Sequence, residues 1–411
     1  MSPFGKAFIA GVMILAPAIG LVAVAEAQRP IRIGASLSQT GAYAAVAQPQ
    51  LRGYQLCVKH TNEKGGVLGR KIELVVEDDR SEAATAIRIY ERLITQEKVD
   101  LVLGPWGSPM TEPVADVTEK HRMPMVAPTA ATTSIYKQGR KFIFMMQTPV
   151  EVFLEGFVEL AARNGLKTIA LINEDSLAPH ALVKGTSQLA KKRGLQIVFA
   201  ETYPQGTTDF SAILTRVRAP TPDAFGAATV LFENAVAITR QMKQLNLNLK
   251  MYTGTPPGVV LPKFYEVLGR AAEFVYGSSQ WEPELVTLRA GGLIPIARQY
   301  PGSREFVEAH HREYPGADLA HQSASGYAGC QVLTEAVKRA GSQDREKIRT
   351  AILKLDFNTV FGAFKVDQDG FQIAHKMVTF QWQDGKKVIV WPEELAPGQP
   401  RFPTPSWGQR P

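Results

Sequence analysis

The chain has 411 residues, 45% of them apolar and 21% charged, a balance that excludes a disordered chain and a membrane-embedded one. That length exceeds one ordinary hydrophobic core and predicts two lobes. The formal net charge of +7 is spread along the chain without a clustered Lys/Arg run, so no nucleic-acid partner is expected.

At the N-terminus, Lys6 precedes an apolar stretch from Ala7 to Ala25, and Ala25-Glu26-Ala27 supplies a small-x-small cleavage signal. This three-part pattern predicts a secretory signal peptide over 1–27, cleaved near Ala27/Gln28, and hence a periplasmic protein. The rival reading is a retained membrane anchor, but Gly11, Pro17 and Gly20 interrupt the stretch. Two cysteines occur, Cys57 and Cys330, without metal-type spacing. Export would allow one disulfide, yet two buried free thiols are the favoured reading.

From Ile31 short apolar strands alternate with amphipathic helices: "IRIGAS", helix, "KIELVVEDD", helix, "DLVLG", a helix from about Pro109 to His121, then "PMVAP". After "KFIFMMQTP" the cycle restarts, with strands "TIALIN", "LQIVFAETY", "AFGAATVLF" and "KMYTG" and helices over 151–164, 180–193, 209–218 and 233–245. A mostly helical block runs from Gly277 to Leu355, and the chain ends in β-strands and a Pro-rich tail over 394–411. Such repetition predicts α/β architecture: two Rossmann-like lobes, each a parallel sheet covered on both faces. Open sheets of this kind bind ligands outside the carboxyl ends of their strands. The loops to search are therefore 36–47, 104–110, 127–133, 173–180, 230–234 and 253–258.

Those loops hold no G-x-G-x-x-G and no G-x-x-x-x-G-K-[ST], so no nucleotide cofactor is expected. In "GPWGSPM" Ser108 stands where a helix begins, and a hydroxyl beside exposed N–H groups suits a carboxylate. The bland alternative is that Ser108 caps its own helix. "PTAATTS" adds Thr129, Thr132 and Thr133 among small alanines. Tyr43, after the first strand, is either a packing residue or part of a ligand lid. Ser108 lacks a G-x-S-x-G context and no His has an obvious Asp partner, so catalysis is not expected. No metal constellation stands out.

The pieces "IRIGASLSQTGAYA", "LRGYQLCVKHTNEKGGVLGRKIELVVEDDRSEAATA", "VDLVLGPWGSPMTEPVADVTEKHRMPMVAPTAATTS" and "FNTVFGAFKVDQDG" resemble the periplasmic solute-binding proteins of the leucine/isoleucine/valine-binding type, which serve ATP-driven (ABC) importers. The resemblance covers nearly the whole mature chain. It implies a type I binding protein with three interlobe crossovers, near Thr148, Tyr276 and His375. Lobe 1 would be 28–147 plus 277–375, and lobe 2 would be 148–276 plus 376–393. It further implies that Gly107, Ser108, Thr129, Ala130 and Thr132 hold the head group of a small-molecule solute, with Ala131 replacing a neighbour if the register slips.

The second lobe departs from the family pattern. Asp-x-x-Tyr-Gly appears as Asp175-Ser176-Leu177-Ala178-Pro179, Gly-Pro-Glu appears as Gly254-Thr255-Pro256, and Phe232 stands near the other common tyrosine. Unless Glu233 or Asp175 turns inward, an ammonium would lack a counter-charge. The expectation is a carboxylate held by hydroxyls and amides, with Tyr43, Ala178, Phe232, Pro256 and Trp106 around its body. A membrane permease is the expected partner and a monomer the expected state. A ligand sensor for a signalling partner and, more remotely, an exported hydrolase are the alternatives.

Overall fold

The computed structural model describes residues 29–256, 258–287 and 300–410. The expected signal peptide lies outside the described residues.

The first half builds β1 (Ile31–Leu37), α1 (Ala44–Glu63), β2 (Ile72–Asp78), α2 (Ala83–Thr95), β3 (Leu101–Leu103), α3 (Ser108–Lys120), β4 (Met125–Ala127), α4 (Thr133–Tyr136) and β5 (Ile143–Met145). Its parallel sheet has the order β2-β1-β3-β4-β5. Strands β3, β4 and β5 are apolar and buried on both faces because helices cover both, whereas the edge strand β2 is only half-buried. Ile33, Ala35 and Leu37 are sealed, and at Gly34 a Cβ would stand 3.1 Å from the Leu93 side chain on α2.

The second half builds α5 (Glu155–Arg163), β6 (Thr168–Glu174), α6 (Leu177–Lys192), β7 (Gln196–Tyr203), α7 (Ser211–Arg218), β8 (Ala224–Ala228), α8 (Phe232–Gln244), β9 (Met251–Gly254), α9 (Pro262–Leu268) and β10 (Val275–Ser279). The chain then adds α10 (Glu284–Thr287), α11 (Ser303–Glu313), α12 (His321–Ala340), α13 (Arg345–Leu353) and the hairpin β11 (Asp356–Thr359)/β12 (Gly362–Lys365). It ends with β13 (Val378–Gln383) and β14 (Lys386–Trp391). The second sheet runs β14-β13-β10-β9-β8-β6-β7. It is mixed rather than wholly parallel, since β13 pairs antiparallel with β10 and β14 with β13.

Strands β6 to β10 repeat the order of β1 to β5, so each sheet reverses direction once, between β1 and β3 and between β6 and β8. These are the switch points where loops diverge and leave a crevice. The chain crosses between sheets three times, and the crossings are bonded to one another. Thr148 N donates to Gln280 Oε1 (3.0 Å), Thr148 Oγ1 to the His375 carbonyl (3.1 Å), and His375 Nε2 lies 3.0 Å from the Gln280 carbonyl. The second crossing follows Ser279 and lies beyond Tyr276, which is inside β10.

The free-thiol expectation is wrong. Cys57 and Cys330 form a disulfide, with Cα atoms 6.2 Å apart. The cause is the closeness of α1 and α12. A Cβ at Gly53 would fall 2.2 Å from the Ser323 carbonyl, and one at Gly326 would fall 2.6 Å from the Gln50 carbonyl. Cys57 and Cys330 each follow such a glycine by one helical turn, so backbones that nearly touch bring the thiols together.

Among its described residues the Pro-rich tail forms no strand or helix beyond a short turn at Glu393–Leu395, but it is tied down. Thr404 N donates to the Lys250 carbonyl (3.0 Å), Trp407 Nε1 to the Leu247 carbonyl (2.8 Å), and Arg410 lies over the Trp407 ring.

Candidate functional site

A cleft with about 600 Å³ of empty space, part of it open to solvent, lies between the two sheets. Its walls come from the carboxyl ends of β3, β4, β5, β6, β8 and β9, taking in the β3 side of the first switch point and both sides of the second. The size suits a small organic solute.

On the first-lobe side the chain leaves β3 through Gly104-Pro105-Trp106-Gly107. Gly107 takes φ +78°, a conformation that disfavours any side chain, and is the N-cap of α3. No side chain caps this helix. Ser108 is thus the first helical residue and not the cap. Its Oγ instead accepts from Ala131 N (3.2 Å), Thr132 N (3.3 Å) and Thr132 Oγ1 (2.9 Å). These contacts dock the loop after β4 onto α3. Beside it, Thr129 Oγ1 accepts from Gly107 N (2.9 Å) and donates to Gln50 Oε1 (2.7 Å). Gln50 Nε2 in turn donates to Tyr54 Oη (2.7 Å) and to the Gly104 carbonyl (3.2 Å).

The expected residues fall into two groups. Gly107, Ser108, Thr129, Trp106, Ala178 and Pro256 line the cleft together. Ala130, Ala131, Thr132, Tyr43 and Phe232 are not among the described lining residues. The Ala130 carbonyl accepts from Tyr136 Oη (2.7 Å), and Thr132 faces Ser108. The Tyr43 ring packs 5.1 Å from Trp106, and Phe232 is buried with Lys263 over its ring. The two acids named as counter-charges point to solvent: Asp175 pairs with His180 (2.8 Å) and Glu233 is exposed.

Opposite Ser108, the second lobe presents Val150, Phe153, Leu182 and Val230 as an apolar wall. Its hydroxyls are already used, since Thr229 donates to the Leu231 carbonyl and Thr255 to the Ala227 and Thr229 carbonyls. No acidic side chain is among the described residues lining the cleft. A buried acid does lie nearby. Glu174, at the end of β6, accepts from Ser176 (3.4 Å) and Asn234 (3.2 Å), and burial pushes its carboxyl up.

The loop reading missed Gln147, His321 and Gln322, which also line the cleft. Gln147 follows β5 and lies outside the six strand-end loops singled out from the sequence. His321 and Gln322 open α12, more than 170 residues further along the chain, and only the return crossing brings them back. Burial, then the fields of Lys387 and His375, hold His321 neutral with a pKa of about 3.

A two-lobed molecule with its crossings hydrogen-bonded to each other and a solute-sized cleft at both switch points is a binding protein of the type I class. The chain belongs to the periplasmic binding protein family, whose profile it matches over residues 30–387. It is 26% identical over 397 residues to the "Leu/Ile/Val-binding protein homolog 7" of Brucella melitensis, covering 93% of this chain and 96% of that one. A leucine-binding protein of Thermotoga maritima superposes with a TM-score of 0.77 at 27% identity, covering 88% of this chain and 97% of the other. The fold also matches that of an ABC transporter solute-binding protein from R. palustris in complex with benzoate, with a TM-score of 0.75, 19% identity and coverage of 88% and 96%. These relatives are solute-binding proteins, not enzymes.

Proposed function

We propose that the protein is the exported solute-binding component of an ABC-type importer, capturing a small carboxylate-bearing solute with an apolar body and delivering it to a membrane permease. The observation that carries this reading is the pairing, in one cleft, of Ser108 and the uncapped amide end of α3 with an apolar wall and no acidic lining residue among those described. The helix end and the hydroxyl favour an anion. An ammonium would be desolvated there without a counter-charge, which costs several kcal/mol. Ser108 would hold the carboxylate, while Gly107 N and Thr129 Oγ1, already bonded to each other and to Gln50, would fix the turn beside it, with Trp106, Ala178 and Pro256 around the body.

The proposal includes removal of the leader near Ala27/Gln28, a periplasmic location and a monomeric state. The lobes would be 28–147 with 280–375 and 148–279 with 376–393, closing about the bonded crossings at Thr148, Gln280 and His375.

A second reading has one observation in its favour. Glu174 is buried without a cationic partner among the described residues, so an α-amino acid could send its ammonium there. The names of the leucine-binding relatives point the same way. Against it, Glu174 is not among the described lining residues and already accepts hydrogen bonds.

A thermal-shift screen of the unfolded and refolded mature protein separates the two. A true cargo at a hundredfold above its dissociation constant adds about 2.7 kcal/mol of stability. Aromatic or short aliphatic carboxylates raising the melt supports the first reading. Leucine or valine raising it while those acids do nothing would replace it with the second.

A further inference from the structure

Several buried polar groups of the cleft have no hydrogen-bond partner among the described residues. Gln147 is 3% exposed, His321 5% and Gln322 1%. The unpartnered atoms are Gln147 Nε2, His321 Nδ1 and both Gln322 Nε2 and Gln322 Oε1, and all three residues line the cleft. The indole N–H of Trp106, on the same lining, is also unpartnered. Buried polar atoms are almost always bonded, and leaving them stranded costs more than a bond returns. Such a set in a ligand cleft therefore describes the ligand.

Its chemistry is mixed. Gln147 Nε2, Gln322 Nε2 and Trp106 Nε1 are donors, and a carboxylate could satisfy them. Gln322 Oε1 is an acceptor and needs a donor, which a carboxylate lacks. His321 is held neutral by burial and adds one more acceptor or donor according to its tautomer. Lys387, the cation whose field acts on His321, is bound to Glu282 and to the Val260 carbonyl. A second charge on the solute would thus find no partner there, whereas a neutral group that gives and accepts would.

We infer that the cargo is a hydroxylated carboxylic acid, whose hydroxyl is held by Gln147, His321 and Gln322 in addition to the carboxylate at the start of α3. This rests on the carboxylate reading of the cleft. Water can serve these groups in the free protein, so an acid without the hydroxyl displaces that water and replaces none of its hydrogen bonds. The three residues are specificity-determining: they select among acids of one shape.

The test is calorimetric titration of the refolded protein with matched probes: benzoate against its three monohydroxy isomers, and 4-methylpentanoate against 2-hydroxy-4-methylpentanoate. At least one hydroxylated acid should bind about ten- to a hundredfold more tightly than its parent. Gln322→Leu should shrink that ratio toward one, with its melting temperature measured in parallel to establish folding. Parents binding as tightly as every hydroxylated probe would overturn the inference and leave the carboxylate reading standing. A ratio unchanged in both Gln322→Leu and Gln147→Leu would do the same. If no acid of either kind binds while leucine does, both fall together.

Discussion

Gln50 is fully buried on α1, yet its amide reaches three places at once: Tyr54 Oη, the Gly104 carbonyl and the Thr129 hydroxyl. It fixes both the turn before α3 and the loop after β4. Gln50→Leu would strand the Thr129 proton, while the Gly104 carbonyl keeps its bond from Tyr54 Oη (2.8 Å), and should lower stability by about 1–3 kcal/mol in urea unfolding. Ser108 acts nearer the solute. Ser108→Ala removes the acceptor of the Ala131 and Thr132 amides together with the hydroxyl proton, and should weaken carboxylate binding by about 1–3 kcal/mol, read by calorimetry. Unaltered affinity would leave Ser108 as a loop anchor alone. Ser108 and Thr129 were legible because strand-end turns rich in hydroxyls stand out in the sequence. Gln50 was not, because a glutamine inside a helix carries no sign that a distant loop will consume its amide.

The α1–α12 pair shows how a helix contact can be written in sequence and still be overlooked. "GYQLC" and "GYAGC" place a glycine one turn before a cysteine in each helix. The glycines let the backbones meet and the cysteines close the contact. Composition alone could not reveal this, because the partners are 273 residues apart. Replacing both cysteines with serine should cost about 2–4 kcal/mol, measured by urea unfolding against the wild type. Gly53→Ala should be at least as damaging relative to its burial, since its Cβ would meet a backbone carbonyl that cannot move aside. The repeating strands and helices of both lobes were readable from periodicity. The antiparallel β13–β14 addition to the second sheet was not, since pairing direction is set by where the chain returns.

Across the whole molecule, three chain crossings share one hydrogen-bonded knot, and His375 is part of it, stacked on Phe361. Burial depresses the pKa of His375 to about 4 and that of His321 to about 3, both below the ordinary value of 6.5. Groups depressed in the folded state contribute stability in full above pH 6.5 and lose it as pH falls through their folded values. The melting temperature should therefore decline from about pH 6.5 toward pH 4, and His375→Gln should flatten part of that decline. An equal slope in the variant would remove His375 from the account. The two-lobe plan came from sequence grammar, but the cleft's full lining required the fold, because α12 contributes to it only after the chain has crossed twice. Titrating the refolded protein with 4-methylpentanoate and with leucine, which differ by the α-amino group, probes the cleft most directly. The plain acid should bind and leucine should bind more weakly; tighter binding of leucine would overturn the carboxylate reading.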